Sequence, residues 1–576
     1  MQDMRVATSE EMPESTAMHK ESFHTLVEAL AAAPTDKPFI TMWKSETDIE
    51  TRTFGAFRHE ARCHAEYFRS HGIKAGDTVI LIMPQGIALM SAFMGAMLLG
   101  AIPAILAYPN FKVEPAKYRY GLAGVTTNLK ASLTVVDEGF PEDLMAYVAA
   151  EHRSHIVRCA HPAASPPRSE FAYEVQPDQI AFIQHSAGTT GLQKGVALRH
   201  KAVLRQIEHL APAIRLCSKD RIYSWLPLYH DMGLIACFLL PLACHLSVVM
   251  QAPTDWVMQP QTMLELMSNK RCTLAWVPNF TLQFLARRVR PEDRASIDLS
   301  CVRAIINCSE PVRASSMDEF SSAFSSQNLR PGALQSCYAM AETVFAVTQS
   351  DVTAGGPRRI WVDGNLFRKQ GVVRPVSNDT PGGMCLASSG RPLRNTRIRI
   401  VSDEGLDLVN KVGEILIHCD SMLDGYYNRP DLTKKAVRGG WYWSGDLGFV
   451  FDGELYVVGR KKDLIIVAGE NIYPQDVEEI ISAHKAICDG RVVAFGNYNP
   501  SLGTEEIVVV AEVRDSADLQ NAENLERELR GAVKREMGVT IGYLFIKPPR
   551  WIIKSTAGKP ARAATKEKLV AQHPNL

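Results

Sequence analysis

The sequence has no excess of charge and no motif in which two residues separate a pair of cysteines. Its 63 lysines and arginines balance its 63 aspartates and glutamates, so a nucleic-acid-binding surface is not indicated. Several of its 12 cysteines, such as Cys237 and Cys244, lie in apolar runs. We therefore expect free buried thiols in a reducing cytoplasm, and neither disulfides nor a metal cluster. The first residues also lack the apolar run of a secretory signal.

Charged residues are missing from Thr78 to Phe111, a stretch long enough to cross a bilayer. Pro84 to Gly86 divide this stretch into a short β-like run and a helix-length run, and a further apolar run follows Pro103. A strand, a helix and a second strand, all buried within an α/β domain, explain the pattern better than a transmembrane span.

The chain of 576 residues is too long for one hydrophobic core. Short Val, Ile and Leu runs alternate with helical patterns up to about Val450, which predicts α/β architecture. We predict a flexible tail over 1–22, a large domain of mixed, mainly parallel sheets flanked by helices over 23–459, and a small mobile α+β domain over 460–576. The segment Val352 to Gly383 is rich in Gly, Pro and basic residues and is predicted to be a long loop or insertion.

A loop rich in glycine and hydroxyl side chains, SAGTTGLQKG, follows the apolar run IAFIQH. Small residues let backbone N–H groups approach phosphate oxygens, and Lys194 adds positive charge. The spacing differs from that of an ordinary P-loop, so a kinase or GTPase of that kind is disfavoured. A flexible surface turn is the alternative when the loop is considered alone.

The loop begins an ordered series of motifs that resembles the adenylate-forming superfamily of acyl and aryl ligases. The resemblance covers the chain from about Phe23. Its further motifs are WLPLYHDMG (225–233), SEP (309–311), YAMAE (338–342), GEI (413–415), WSGD (443–446), GRKKD (459–463) and STAGK (555–559).

The resemblance implies an enzyme that uses ATP and Mg²⁺. Tyr338 would stack on adenine, Asp446 would bind the ribose, and Glu342 with Thr189 would hold the metal. The residues implied to bind the nucleotide are Ser186, Gly188, Thr189, Thr190, Gly191, Lys194, Ser309, Glu310, Pro311, Tyr338, Ala339, Met340, Glu342, Asp446 and Arg460.

Two further residues are implied to be catalytic. Lys559 matches the family lysine that bridges the carboxylate and the α-phosphate, and His230 would lie where ATP meets the acid. Lys462 matches the hinge about which the small domain turns. For Arg562 and Lys566, which follow Lys559, we expect solvated charge.

The chemistry needs no general base, because a carboxylic acid with a pKa of about 4 to 5 is already ionised at neutral pH. Its oxygen attacks the α-phosphorus and pyrophosphate leaves, so the site must neutralise and align two anions. The expected function is activation of a carboxylic acid, most like the fatty acyl-AMP ligase branch, with an acyl carrier protein as acceptor. Forty-seven residues separate Glu342 from Gly390, a spacing that favours this branch.

Other activities remain open on the sequence alone. An acyl- or aryl-CoA ligase would use free CoA, and an oxidative luciferase-like enzyme is a remote possibility on the same fold. A non-catalytic nucleotide-binding protein is the alternative from another class. An amino-acid adenylation domain is disfavoured because such domains are usually embedded among other modules.

Overall fold

The computed structural model describes residues 23–109, 115–148, 155–158, 162, 174–185, 194–554 and 559–573. The helices and strands up to residue 158 are α1 (Leu26–Ala32), β1 (Pro38–Trp43), β2 (Ile49–Thr53), α2 (Phe54–Ser70), β3 (Thr78–Ile82), α3 (Ile87–Leu98), β4 (Ile102–Ile105), α4 (Pro115–Leu129), β5 (Leu133–Val136), α5 (Glu142–Met145) and β6 (Ile156–Arg158).

The next part of the chain adds strands and helices to both large sheets. These are β7 (Ile180–His185), β8 (Gly195–Arg199), α6 (His200–Ala213), β9 (Arg221–Ser224), a π-helix (Met232–Leu239), α7 (Leu240–Ala243), β10 (Ser247–Gln251), α8 (Pro253–Met258), α9 (Thr262–Asn269), β11 (Leu274–Val277), α10 (Asn279–Arg288), α11 (Pro291–Arg294), β12 (Ala304–Asn307), α12 (Ala314–Ala323), β13 (Leu334–Ala339), a 3₁₀ turn (Ala341–Thr343) and β14 (Ala346–Gln349).

Short strands then precede the small domain. Two short helices lie among them. In chain order, these elements are β15 (Arg359–Asp363), α13 (Gly364–Gln370), β16 (Gly383–Ala387), β17 (Arg391–Pro392), β18 (Arg397–Val401), β19 (Gly413–His418), β20 (Gly425–Tyr426), α14 (Pro430–Ala436), β21 (Val437–Arg438), β22 (Trp441–Phe451) and β23 (Glu454–Arg460). The small domain contains a 3₁₀ turn (Lys461–Asp463), β24 (Ile465–Val467), β25 (Glu470–Ile472), α15 (Pro474–Ser482), β26 (Ile487–Asn499), β27 (Thr504–Val513), a 3₁₀ turn (Ser516–Asn521), α16 (Ala522–Met537), β28 (Ile541–Lys547) and α17 (Arg562–Gln572).

Two large sheets form the body of the chain. One has seven strands in the order β20-β8-β7-β4-β3-β5-β6, and the other has nine in the order β17-β14-β13-β12-β11-β9-β10-β1-β2. The inner strands of both sheets are parallel, while the pairs toward the β20, β17 and β2 edges are antiparallel. The predicted α/β class with mainly parallel sheets is confirmed.

The uncharged stretch from Thr78 to Phe111 contains β3, α3 and β4, as predicted. The strands β3 and β4 pair in parallel within the seven-stranded sheet, and most side chains of α3 are fully buried. Within the described ranges, no helix combines the length and apolarity that crossing a membrane requires.

The segment 352–383 is more ordered than a long loop, so the loop expectation was wrong, while an insertion at this place stays a prediction. It contains β15 and α13, and β15 pairs with β16 in a two-stranded antiparallel sheet. Phe367 of α13 lies in a hydrophobic cluster with Phe449 of β22 and Tyr473 before α15. Only a few apolar residues of this segment are buried, and they are separated by many Gly, Pro and basic residues. The hydrophobic periodicity of the sequence therefore did not reveal β15 and α13.

The small domain has its own hydrophobic core, built from β24 to β28 with α15 and α16. The strands β26, β27 and β28 form a three-stranded sheet in which β26 is antiparallel and β28 parallel to β27. A second, smaller cluster packs Leu569 of α17 and Ile552 against the opposite face of this sheet. Lys559 is therefore flanked in the sequence by two residues, Ile552 and Leu569, that pack against the same sheet.

The part of the chain from β15 to β16 (359–387) is called the β15–β16 segment below. Gly390 connects its end to the nine-stranded sheet. Its φ is +97°, and a Cβ added there would lie 2.1 Å from the carbonyl carbon of Gln349. We expect Gly390→Ala to lower the free energy of unfolding by at least ~2 kcal/mol, because both the φ angle and the contact are unfavourable to a side chain. Urea denaturation measures this change.

Gly121, within α4, supplies the matched control. Among the described residues no atom lies within 4 Å of the place its Cβ would take. Gly121→Ala should therefore leave stability unchanged or raise it by up to ~1 kcal/mol. Equal effects of the two substitutions would contradict the account of Gly390.

Candidate active site

Four neighbouring strands of the nine-stranded sheet, β9, β11, β12 and β13, deliver their carboxyl ends to one edge. Because these strands are parallel, the residues that follow them lie along the same edge. Those residues include His230 after β9, Ser309 after β12 and Met340 after β13. Segments far apart in the sequence therefore meet in one crevice.

Tyr338, Asp446 and Arg460 are in direct contact. The Tyr338 hydroxyl donates to Asp446 Oδ2 at 2.6 Å, and Arg460 Nε lies 3.3 Å from Asp446 Oδ1. Asp446 and Arg460 face each other across the antiparallel pair β22 and β23. Burial raises the pKa of Asp446, while the Arg460 guanidinium lowers it, with a net upward shift. The cluster places one carboxylate, one cation and one aromatic ring where a nucleoside could bind.

Glu342 and Lys194 both contact Tyr426, a residue that the sequence motifs did not identify. Tyr426 donates its hydroxyl hydrogen bond to Glu342 Oε1 at 2.9 Å, and Lys194 Nζ lies 4.7 Å from the centre of the Tyr426 ring. Burial, with the Glu342 charge as a second cause, raises the pKa of Tyr426, so this hydroxyl keeps its proton and donates. Tyr426 is the first tyrosine of a Gly-Tyr-Tyr sequence. Its strand pairs with β8, and this pairing can be recognised only in the fold.

Glu342 is a hard oxygen donor of the kind that suits Mg²⁺, and its residue is 9% exposed. In the described ranges, no group of three or more His, Cys, Asp or Glu side chains could hold a metal by itself. Magnesium commonly binds through one or two carboxylates together with substrate phosphates, so one glutamate beside a phosphate site fits that ion. Thr189, the other predicted ligand, lies outside the described residues.

His230 and Asp231 form a close pair in the crevice. His230 Nδ1 lies 2.6 Å from Asp231 Oδ1, which also accepts a hydrogen bond from the Met232 N–H at 2.8 Å. Burial raises the pKa of Asp231, but His230, the Met232 N–H and the Lys559 charge together hold it below its ordinary value. Asp231 is therefore ionised at neutral pH, and its position directly after His230 was the signal that could have identified it.

Lys559 reaches across from the small domain into the crevice. Its ammonium donates to the Ser309 carbonyl at 2.5 Å. Ser309 has φ +66°, in the left-handed region that non-glycine residues rarely adopt. This backbone turns directly after β12, beside the strand that carries Tyr338. The structure thus places the predicted catalytic lysine beside the predicted nucleotide-binding loop.

The remaining predicted residues divide into two groups. Glu310 accepts a hydrogen bond from the Phe280 N–H at 3.0 Å, at the start of α10, and Met340 N–H donates to Phe345 O at 2.9 Å. Ala339 ends β13, and Pro311 lines a cavity between the β15–β16 segment and α15. The other predicted phosphate-loop residues, Ser186, Gly188, Thr189, Thr190 and Gly191, lie outside the described part of the chain.

Ion pairs join the small domain to the large one near this crevice. Arg313 Nη1 lies 2.8 Å from Asp476 Oδ1 and 3.3 Å from Glu479 Oε2. Arg287 Nη1 lies 2.6 Å from Asp489 Oδ1. The predicted hinge residue, Lys462, is exposed in the 3₁₀ turn between β23 and β24.

The expectation of solvated charge at Arg562 and Lys566 was wrong. The Arg562 guanidinium is paired with Asp463 at 2.9 Å and Glu478 at 2.7 Å, and its side chain is 19% exposed. Lys566 donates to Gly496 O at 2.7 Å. A short basic run gives no sign of partners that come from distant strands and helices, so sequence spacing could not reveal them.

Comparison with known proteins gives three agreeing results. The family model for AMP-binding enzymes matches residues 27–427. A 4-hydroxyphenylalkanoate adenylyltransferase of Mycobacterium tuberculosis is 27% identical over 96% of this chain and 92% of its own length. The long-chain-fatty-acid–AMP ligase FadD26 of the same species is 28% identical over 86% of this chain and 87% of its own length.

A solved structure from work on fatty acyl-adenylate ligases of E. coli and L. pneumophila is 30% identical, with a TM-score of 0.87. It covers 96% of this chain, which in turn covers 99% of that chain. These matches confirm the resemblance, the fold class and the class of enzyme predicted from the ordered motifs. The chain belongs to the family of AMP-binding enzymes, and within it is similar to the fatty acyl-adenylate ligases.

Proposed function

We propose that this protein uses ATP to convert a fatty acid into its acyl-adenylate, releases pyrophosphate, and passes the acyl group to an acyl carrier protein. One observation carries the proposal: the Lys559 ammonium lies at the Ser309 carbonyl, directly after the strand that pairs with the strand of Tyr338, which contacts Asp446. A mobile cation beside a nucleoside site is what a reaction between two anions requires.

Each side chain has a distinct task in this proposal. Asp446 accepts hydrogen bonds from the ribose hydroxyls while Tyr338 stacks on adenine. Lys559 neutralises the carboxylate and the α-phosphate as the carboxylate oxygen bonds to phosphorus and the bond to pyrophosphate breaks. Bound Mg²⁺, held by Glu342, would supply further charge neutralisation at the phosphates.

The Asp231 and His230 pair shapes the place where the acid meets ATP. The Asp231 carboxylate holds the ring through Nδ1, which leaves Nε2 as the nitrogen that can turn toward the acid. An ionised aspartate at this point also adds negative charge near Lys559, so the lysine is attracted into the crevice. Substrate anions would then compete for the same ammonium.

The contacts of the β15–β16 segment support a preference for a carrier protein over CoA. Phe367 lies 6.0 Å from Phe449 of the large domain and 6.1 Å from Tyr473 of the small domain, measured between ring centres. Lys369 Nζ lies 3.6 Å from Glu470 Oε1, also in the small domain. We propose that these contacts favour the present domain orientation over the one that would admit CoA.

The reaction is tested directly with a panel of acids. Saturated fatty acids and 4-hydroxyphenylalkanoic acids are incubated with ATP and Mg²⁺, and the products are analysed by mass spectrometry for acyl-AMP, acyl-CoA and acyl-carrier species. We expect acyl-AMP from a fatty acid, little acyl-CoA, and transfer to a phosphopantetheinylated carrier protein. Nucleotide binding without pyrophosphate release from any acid would support a non-catalytic protein instead.

Removal of the Lys559 charge should slow adenylation. We expect Lys559→Ala to lower the rate of pyrophosphate release by about 10²-fold or more, because a charge that stabilises the transition state is lost. Lys568→Ala is the matched control, since Lys568 belongs to the following helix and donates to Trp551 O. A near-normal rate for Lys559→Ala at saturating acid would contradict its assignment.

Asp446 should contribute to ATP binding and not to the choice of acid. We expect Asp446→Ala to weaken ATP binding by about 1.5 to 3 kcal/mol, the range for hydrogen bonds that involve a charged group. Calorimetry with ATP alone measures this change. Asp452→Ala, in the exposed turn of the same hairpin, is the control because the described ion pair of the Asp452 carboxylate is with surface Arg358. Normal ATP affinity with an altered acid profile would mean that the role is misassigned.

The β15–β16 segment should limit the use of CoA. We expect Phe367→Ala, or a shortened segment, to raise acyl-CoA formation about tenfold, since a tenfold bias corresponds to only ~1.4 kcal/mol. The rate of pyrophosphate release should not rise. Robust acyl-CoA synthesis by the unaltered protein would contradict the proposed bias and leave the adenylation proposal intact.

A further inference from the structure

The segment that carries Lys559 is fastened at both of its ends. Lys554 and Pro560 form an antiparallel bridge, and the Ala561 N–H donates to the Ile553 carbonyl at 2.7 Å. The position of Lys559 therefore depends on what holds the residues on either side of this bridge.

Glu512 of β27 holds the end before the bridge. Its residue is 1% exposed, and its carboxylate accepts hydrogen bonds from the N–H groups of Ile552 at 2.5 Å and Arg550 at 2.9 Å. Arg491 of β26 donates to the Ile552 carbonyl at 3.1 Å. These contacts attach this end to the sheet of the small domain.

Arg562 holds the other end, three residues after Lys559. Its guanidinium donates to the Ala494 carbonyl of β26 at 2.8 Å, to Asp463 Oδ2 at 2.9 Å and to Glu478 Oε1 of α15 at 2.7 Å. Planar guanidinium groups make directional, charge-assisted hydrogen bonds of this kind, which fix orientation as well as distance. Three separate parts of the small domain thus meet at one side chain.

Asp463 connects this cluster to the proposed hinge, because it directly follows the hinge residue Lys462. Its carboxylate lies in the turn that leads from the large domain to the small one. The contact with Arg562 therefore joins the segment of Lys559 to the residue next to the hinge. A small shift of Arg562 relative to Asp463 would move Lys559 away from the Ser309 carbonyl.

We infer that Arg562 is a positioning residue for adenylation, which fixes the Lys559 segment against Asp463 and Glu478 so that the ammonium reaches the α-phosphate region. The inference rests on the proposed role of Lys559. Arg562 itself acts through Lys559, since the described hydrogen bonds of its guanidinium all go to residues of the small domain. Its loss should lower the rate of the chemical step and leave the binding of ATP unchanged, since Tyr338 and Asp446 belong to the large domain.

The experiment compares Arg562→Lys, Arg562→Met and Asp463→Asn in the full-length protein. Pyrophosphate release is measured with saturating ATP and the best fatty acid of the panel, and ATP affinity is measured by calorimetry without acid. We expect kcat to fall about tenfold or more in Arg562→Met, which is ~1.4 kcal/mol in activation free energy. The kcat of Arg562→Lys should fall less, because lysine keeps the positive charge and loses only the planar set of guanidinium donors. ATP affinity should stay within twofold of the unaltered protein.

Lys566→Met is the matched control. Lys566 lies one helical turn further along α17 and donates to Gly496 O, but it does not contact the hinge turn. We expect its kcat to be unchanged. The double variant Arg562→Met with Asp463→Asn should lose little more than Arg562→Met alone, because both substitutions break the same contact.

Three results would overturn the inference. They are an unchanged kcat in Arg562→Met, an equal loss in Lys566→Met, and a loss in Arg562→Met that appears as weaker ATP binding. If the thermal transition shows that Arg562→Met is unfolded, the same comparison of kcat and ATP affinity is made with Arg562→Lys and Asp463→Asn. Lys559→Ala separates this inference from the proposed function. A slow Lys559→Ala with normal Arg562 variants refutes only the positioning role, whereas a normal Lys559→Ala refutes the assignment of Lys559 itself.

Discussion

The contact between the Lys559 ammonium and the Ser309 carbonyl joins the two domains at the point where the chemistry is proposed to occur. It exists in one domain orientation, which Arg313 supports through Asp476 and Glu479. These ion pairs are partly exposed, so each contributes modestly and none locks the domains together. A contact that can form and separate suits a lysine needed in one step and unwanted in the next.

The rest of the site is divided between the large and the small domain along the same line. Tyr338 and Asp446, the residues proposed to bind the nucleoside, both belong to strands of the large domain. Lys559 belongs to the small domain and depends on it for position. In the proposed function, this division separates binding of ATP from its activation, so affinity and rate depend on different domains.

The sequence allowed the α/β class, the strand, helix and strand of residues 78 to 111, and the family to be predicted correctly. Ordered motifs also identified Tyr338, Asp446 and Arg460, which the fold brings into contact. What escaped prediction depends on distant partners: Tyr426 meets Glu342 only because β20 pairs with β8. In the same way Arg562 was taken for solvated charge because Asp463 and Glu478 lie far from it in sequence.

The central claim is that a carboxylate oxygen bonds to the α-phosphorus of ATP. A fatty acid labelled with ¹⁸O in both carboxylate oxygens tests it, with hydroxylamine added to take up the acyl group. The bridging oxygen comes from the acid and stays with phosphorus when the acyl group leaves, so mass spectrometry should find one ¹⁸O in AMP. Unlabelled AMP, or label in inorganic phosphate with ADP as the nucleotide product, would contradict the account.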